Sequence, residues 1–204
     1  MTRVILVRHG ETEWNRLRRI QGGNSDTQLN QRGQKQAESL ALRLKQEEVQ
    51  AVYSSPLQRA QETARAIADC HQLPVEIEPS LKEIEVGALE GMPIADVGKR
   101  LSQLLIKHAQ SEELPRLPGG ESLTEVQQRV WSTIQRLVVK HGNNVLVVAS
   151  HYFSILTAVC SVLGLPLSQI DKLRLHSGSI SILTFDEQAN RLILFNDTCH
   201  LDNI

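Results

Sequence analysis

Cysteine is scarce in this sequence and scattered. Cys70, Cys160 and Cys199 are its three cysteines, with no Cys-x-x-Cys pair among them. That pattern argues against a disulfide framework or a zinc site and reads as reduced thiols in a cytoplasmic protein. Excess charge is lacking too: 22 Lys and Arg stand against 23 Asp and Glu, for a net charge of −1. With no overall field to attract nucleic acid or an anionic membrane, any anion site must be local. No apolar run nears the ~20 residues of a membrane span, and Met1 leads into a strand without the basic region and apolar core of a leader. Gly-x-Gly-x-x-Gly and Gly-x-x-x-x-Gly-Lys are both absent, which removes the common nucleotide-binding fingerprints. The 204 residues suffice for one substantial domain and are short for two, so 1–204 is expected to be a single domain.

What is present is an alternation of strand and helix signals. Val4-Ile5-Leu6-Val7 is an apolar run that stops at Arg8-His9-Gly10, as a buried strand opening into a site would. Gly10 is expected to supply backbone angles closed to other residues there. The polar stretch Trp14 to Asp26 reads as a loop above the strand ends. Asn30 caps a helix with Ala37, Leu40, Ala41 and Leu44 on one face. Ala51–Ser54 is a second strand. Ser55, Pro56 and Gln58 form a capping-box pattern for a helix with Ala60, Thr63, Ala64, Ile67 and Ala68 inward, ending near His71.

Further along, Val75–Ile77 is a short alternating segment, and Leu81 to Gly91 is an irregular, acid-rich connection. A helical segment lies within Met92 to Glu113, and Ser122 with Glu125 forms a second capping box starting a long helix. Val145–Ala149 is a central parallel strand ending at Ser150-His151, followed by a helix from about Ser154 to Leu163. Ile180–Phe185 and Leu192–Phe195 flank a hairpin turn. The fold expected is three-layer α/β/α with a mostly parallel central sheet and an antiparallel edge.

Three strands in this reading end at a basic or polar group: Arg8-His9, Ser55 with Arg59, and His151. In a doubly wound sheet these ends share one edge. Arg59 in the first turn of a helix is poorly placed for the dipole, and anion binding accounts for it better than a side chain pointing at water. Two Arg and two His near one point suit a compact dianion such as a phosphate monoester.

These residues, together with Glu11-Thr12, Asn15, Gln21-Gly22, Glu83 within Leu81–Gly91, and Gly119-Gly120-Glu121-Ser122, resemble the histidine phosphatase superfamily, in its phosphoglycerate mutase-like branch. The likeness runs over nearly the whole chain in order. It implies a phosphoryl group transferred to His9, a cage of Arg8, Arg59 and His151, and Glu83 as proton donor, ahead of Glu85 and Glu90. Asn15, Gln21, Gly22, Tyr152 and His200 become candidate substrate-binding residues. Tyr152 stands where the family often has glycine, and Val86 where some relatives carry a polar or aromatic residue facing substrate. His71, His108, His141 and His176 read as bystanders.

The activity so implied is a phosphomonoesterase that needs no metal or other cofactor and acts on a small phosphorylated metabolite such as phosphoserine, α-ribazole phosphate or a sugar phosphate. A lid-like insertion around 92–120, shorter than in mutase relatives, favours water as acceptor. A cofactor-dependent mutase is the runner-up, and a non-catalytic phospho-ligand binder is more remote. The partners expected are the metabolite alone, with neither nucleic acid nor membrane, and a homodimer is left open.

Overall fold

The two parallel strands at the middle of the sheet can each be traced to an apolar run that ends at a polar turn. The computed structural model describes residues 1–97, 119–202 and 204. β1 (Thr2–Arg8), β2 (Val49–Ser54), β3 (Val75–Ile77), β4 (Val145–Ser150), β5 (Ile180–Phe185) and β6 (Asn190–Asp197) form one sheet in the order β3-β2-β4-β1-β5-β6. β3, β2, β4 and β1 pair in parallel, whereas β5 runs antiparallel to β1 and to β6. The sheet is therefore mostly parallel, and the hairpin docks its first strand, β5, against β1.

Five helices are named here: α1 (Glu13–Arg16), α2 (Gln31–Leu44), α3 (Gln58–His71), α4 (Leu123–His141) and α5 (Tyr152–Leu163). α2 and α3 cover one face of the sheet, where Leu40, Leu44, Ala64 and Ile67 pack on Ile5, Val7, Val52 and Val147. α4 and α5 cover the other, with Val126, Val130, Ile134, Leu156 and Val159 on Val4, Leu6, Leu146 and Val148. Alternate residues of each central strand thus face different helix layers, which is why these strands read as continuous apolar runs. The three-layer expectation holds.

The caps hold at two helices. Asn30 Oδ1 accepts from Gly33 N at 2.8 Å, and Ser122 and Glu125 form the reciprocal capping box of α4. The Ser55 cap does not: α3 begins at Gln58, its N-cap is Leu57, and no side chain caps it. Ser55 is drawn instead into the site. Part of the expected loop after β1 is α1, whose N-cap Thr12 forms a capping box with Asn15. The helix expected within 92–113, the insertion around 92–120 and His108 fall largely or wholly on 98–118, outside the described residues. Among the described residues, no helix is long and apolar enough to cross a membrane.

Candidate active site

Strand register brings the catalytic candidates together. Arg8 pairs with Ser150 across β1 and β4, and Ser54 with Ala149 across β2 and β4. The ladders continue one step further, with His9 N donating to Ser150 O at 3.1 Å and Ser55 N to Ala149 O at 3.0 Å. His9, Ser55 and His151 therefore leave the sheet at one level on neighbouring strands. Strands about 4.8 Å apart set the spacing of what they carry, and the rings of His9 and His151 lie 5.1 Å apart between centroids. The place is where the chain leaves β1 in one direction and later returns to fill the gap with β4, the point at which open α/β sheets bind ligands.

His9 is buried, 3% exposed. Its Nδ1 lies 2.7 Å from the carbonyl oxygen of Gly10. A carbonyl can only accept, so the ring proton sits on Nδ1 and the Nε2 lone pair is free. Burial, then the charges of Arg59 and Arg8, hold the ring well below the ordinary imidazole range, so it is neutral near pH 7. Gly10 acts here through a close approach: it is absent from the positive-φ glycines, and a Cβ on it would stand 2.4 Å from Gly33 O. Its amide donates to Thr63 Oγ1 at 3.1 Å, so the expectation of special backbone angles is corrected to one of contact.

Arg59 is completely buried, which rules out the reading that points it at water. Its Nη1 donates to Ser25 O at 2.7 Å and its Nη2 to Gly22 O at 3.0 Å. Burial pulls its pKa down to about 10, partly offset by Glu83, Glu90 and Asp26. Arg8 donates to Leu175 O at 2.5 Å, and its guanidinium carbon lies 5.1 Å from the centre of the Tyr152 ring. His151 Nε2 meets Ser55 Oγ at 2.7 Å. Burial first, then Arg59, His9, Arg8 and Arg129, hold its pKa well below the ordinary value. The His151 ring is neutral before an anion arrives. Arg8 Nε, Arg59 Nε and His151 Nδ1 are buried and have no hydrogen-bond partner among the described residues.

Of the three acids of the 81–91 connection, Glu83 is the buried one, 4% exposed. Its carboxylate accepts from Ile84 N at 2.9 Å and from Phe153 N at 3.1 Å, two residues beyond His151. Burial raises its pKa, against those two amides and the charges of Arg59 and Arg8. Glu85 is paired with Lys82, and Glu90 accepts from Gly22 N at 2.7 Å. Val86 is buried in the core. The carbon a Cβ would add to Gly22 comes within 2.7 Å of it, so Val86 supports the Gln21-Gly22 loop from below.

The substrate-binding candidates divide. Asn15 accepts from Thr12 N and donates to Gln21 Oε1 at 3.2 Å, and Gln21 donates in turn to Thr27. Asn15 also lines a cleft of about 550 Å³ beside Arg8, with Arg18, Arg19, Arg32, His176, Thr198 and Leu201 on its walls. His200 is turned away from that wall, its Nε2 on Gly178 O at 2.9 Å. Tyr152 lies under Arg8 and donates to Leu173 O at 3.3 Å. His176, read from its context as a bystander, borders the cleft, whereas His141 is bonded to Tyr53. Arg18 was not legible as a site residue. It has a positive φ of 52°, and among the described residues its guanidinium has no partner. Among the described residues no group of three or more His, Cys, Asp or Glu side chains converges as metal ligands do.

Comparison with known proteins bears on this geometry. The family model described as histidine phosphatase superfamily (branch 1) matches residues 4–198. Phosphoserine phosphatase 1 of Hydrogenobacter thermophilus is 35% identical, covering 98% of this chain and 95% of its own. A Yersinia pestis protein named "Probable phosphoglycerate mutase GpmB" is 34% identical over 99% of this chain and 96% of its own. A crystal structure of a phosphoserine phosphatase mutant from Entamoeba histolytica in complex with phosphoserine superposes with a TM-score of 0.87 at 30% identity, covering 98% of this chain and all of that one. With its fold, its strand-end site and a family match that spans residues 4–198, the chain belongs to the histidine phosphatase superfamily, branch 1.

Proposed function

We propose that this protein is a phosphomonoesterase that works through a phosphohistidine on His9, without a metal. The observation that carries the reading is the state of His9: a buried neutral ring whose Nδ1 is engaged by Gly10 O, close to Arg59, Arg8 and His151, whose Nε, Nε and Nδ1 atoms are buried with no partner among the described residues. Nε2 attacks phosphorus in line, and the bond to the ester oxygen breaks. The cage donors balance charge on the equatorial oxygens, where most catalysis of phosphoryl transfer resides. Glu83, whose pKa is raised by burial, gives its proton to the leaving alkoxide. Water then attacks the phosphohistidine, Glu83 takes the water's proton, and phosphate departs with His9 restored.

The cleft supports a choice among substrates. Three further arginines line it beside Arg8, with Glu11 and Asp202 among them, a mixed wall that suits a leaving group bearing both a carboxylate and an ammonium, as phosphoserine does and a neutral sugar phosphate does not. The phosphoserine phosphatases among its relatives favour the same choice. The mutase reading is supported by the Yersinia relative.

Phosphate release in EDTA from phosphoserine, α-ribazole phosphate, sugar phosphates and 3-phosphoglycerate, beside the His9→Ala protein, tests the proposal. Release that survives EDTA, is greatest on phosphoserine and vanishes with His9 supports it. Isomerisation of 3-phosphoglycerate in the presence of 2,3-bisphosphoglycerate, with no release from any ester, would replace it by the mutase.

A further inference from the structure

The segment carrying Glu83 is neither helix nor strand between Lys82 and Val86, so no regular ladder fixes its backbone. Each carbonyl from Ser80 to Glu85 is nonetheless held from outside. Ser150 Oγ donates to Leu81 O at 2.7 Å, Ser154 Oγ to Lys82 O at 2.7 Å, and Gly23 N to Ile84 O at 2.8 Å. Glu85 O accepts from Glu121 N, and three further contacts converge on one side chain of α4. Arg129 Nη1 donates to Ser80 O at 2.8 Å and to Lys82 O at 2.6 Å, and its Nη2 to Glu83 O at 3.3 Å.

A second acid orients that guanidinium. Arg129 Nε and Nη2 donate to the two carboxylate oxygens of Glu121 at 2.8 and 2.9 Å. Glu121 also accepts from Glu85 N at 3.0 Å, while its own amide donates to Glu85 O at 2.8 Å. The Arg129–Glu121 pair thus grips the connection on both sides of Glu83, Arg129 by three carbonyls and Glu121 by an amide. Both side chains are only 21% exposed. A fork engaging two partners bidentately is a rigid strut that a lysine cannot reproduce.

We infer that Arg129 and Glu121 are positioning residues for proton donation, setting where the Glu83 carboxyl stands relative to the leaving oxygen. The inference rests on the assignment of Glu83 as proton donor made above. Neither side chain hydrogen-bonds to His9, Arg8, Arg59 or His151, so their hold on the geometry acts through the Glu83 connection and shares its dependence on the leaving group, while Arg129→Lys keeps the charge that His151 feels. An alkoxide leaves only when protonated, whereas 4-nitrophenolate leaves without help.

The test is single-turnover formation of the phosphoenzyme from phosphoserine and from 4-nitrophenyl phosphate, in wild type, Glu83→Gln, Arg129→Lys, Glu121→Gln and the Glu83→Gln/Arg129→Lys double variant. Glu83→Gln is expected to lose roughly a hundredfold or more on phosphoserine. Arg129→Lys and Glu121→Gln should each lose about tenfold on phosphoserine and less than about threefold on the aryl ester, and Arg129→Lys should add nothing to Glu83→Gln. Equal losses on both esters, or no loss on phosphoserine, would overturn the inference while leaving the Glu83 assignment standing. A Glu83→Gln protein indifferent to the leaving group would overturn that assignment and the inference with it. Circular dichroism checks each fold, and if Arg129→Lys does not fold, Glu121→Gln decides the matter alone.

Discussion

A Cβ on Gly33 would stand 2.0 Å from the carbonyl oxygen of Glu11, so the first turn of α2 seats backbone on backbone against the loop that carries His9. Gly10 meets the same turn from the other side, and Gln36 Oε1 accepts from Glu11 N at 2.8 Å. The loop that carries His9 is set by α2 as much as by β1.

Gly33→Ala should therefore lower both stability and turnover. The clash is with backbone, which has little room to give, so a loss of about 1–3 kcal/mol is expected, or a melting temperature lower by roughly 3–10 °C. Calorimetry and kcat on phosphoserine check it. An alanine protein with unchanged melting and unchanged kcat would contradict the seating.

Stability should fall as the solution turns acidic. His9 and His151 are both held below the ordinary imidazole pKa of 6.5, chiefly by burial. Their contribution is complete above about pH 6.5 and is lost as pH falls through it, because the unfolded chain then takes up protons that the folded one refuses. Glu83, raised by burial, acts in the opposite sense: its contribution is present below its ordinary value and is lost as pH rises through its raised one. His141 and His200 are lowered as well, chiefly by burial, so with four imidazoles against one carboxyl, urea unfolding should show stability declining between pH 6.5 and 5.5, with a slope of at most ~5.4 kcal/mol per pH unit.

Anion binding should draw in a proton. His151 is neutral without an anion because Arg59, His9 and Arg8 add to its burial, and a dianion among those groups reverses the balance. Affinity for sulfate, which does not titrate near neutrality, should rise as pH falls from 8 to 6, by at most about tenfold for each pH unit. Affinity that is flat across that range would contradict the uptake of a proton by His151 on binding.

Arg18→Gly separates specificity from stability. A side chain at a φ of 52° is strained, and glycine occupies that region freely, so melting should be unchanged or slightly raised. If Arg18 meets the charge of the leaving group, KM for phosphoserine should rise roughly tenfold, the equivalent of about 1.4 kcal/mol. KM for a neutral sugar phosphate should stay within about twofold.

The parts of this site legible in the sequence are those set by local pattern. Val4–Val7 and Val145–Ala149 announce strands, and register then brings together the two histidines just past their ends, His9 and His151. Ser55 shows the limit of such patterns. Ser55-Pro56 with Gln58 has the spacing of a helix cap, yet the hydroxyl faces His151, 96 residues away in sequence, because β2 and β4 are neighbours. Gly10 is legible as important but not for its reason, since Gly33 lies on a helix whose placement depends on the assembled sheet. Arg129 looks like any polar residue of an amphipathic helix, because the carbonyls it holds belong to a connection with no period of its own.

The central claim is that the phosphoryl group passes through His9, and the most direct measurement is to trap it there. Enzyme quenched during turnover of radiolabelled phosphoserine in EDTA, digested and mapped, should carry label on the peptide containing His9. The bond should be labile to acid and stable to alkali, and the His9→Ala protein should carry none. Label on a different residue, or steady phosphate release from an enzyme that never becomes labelled, would contradict the account.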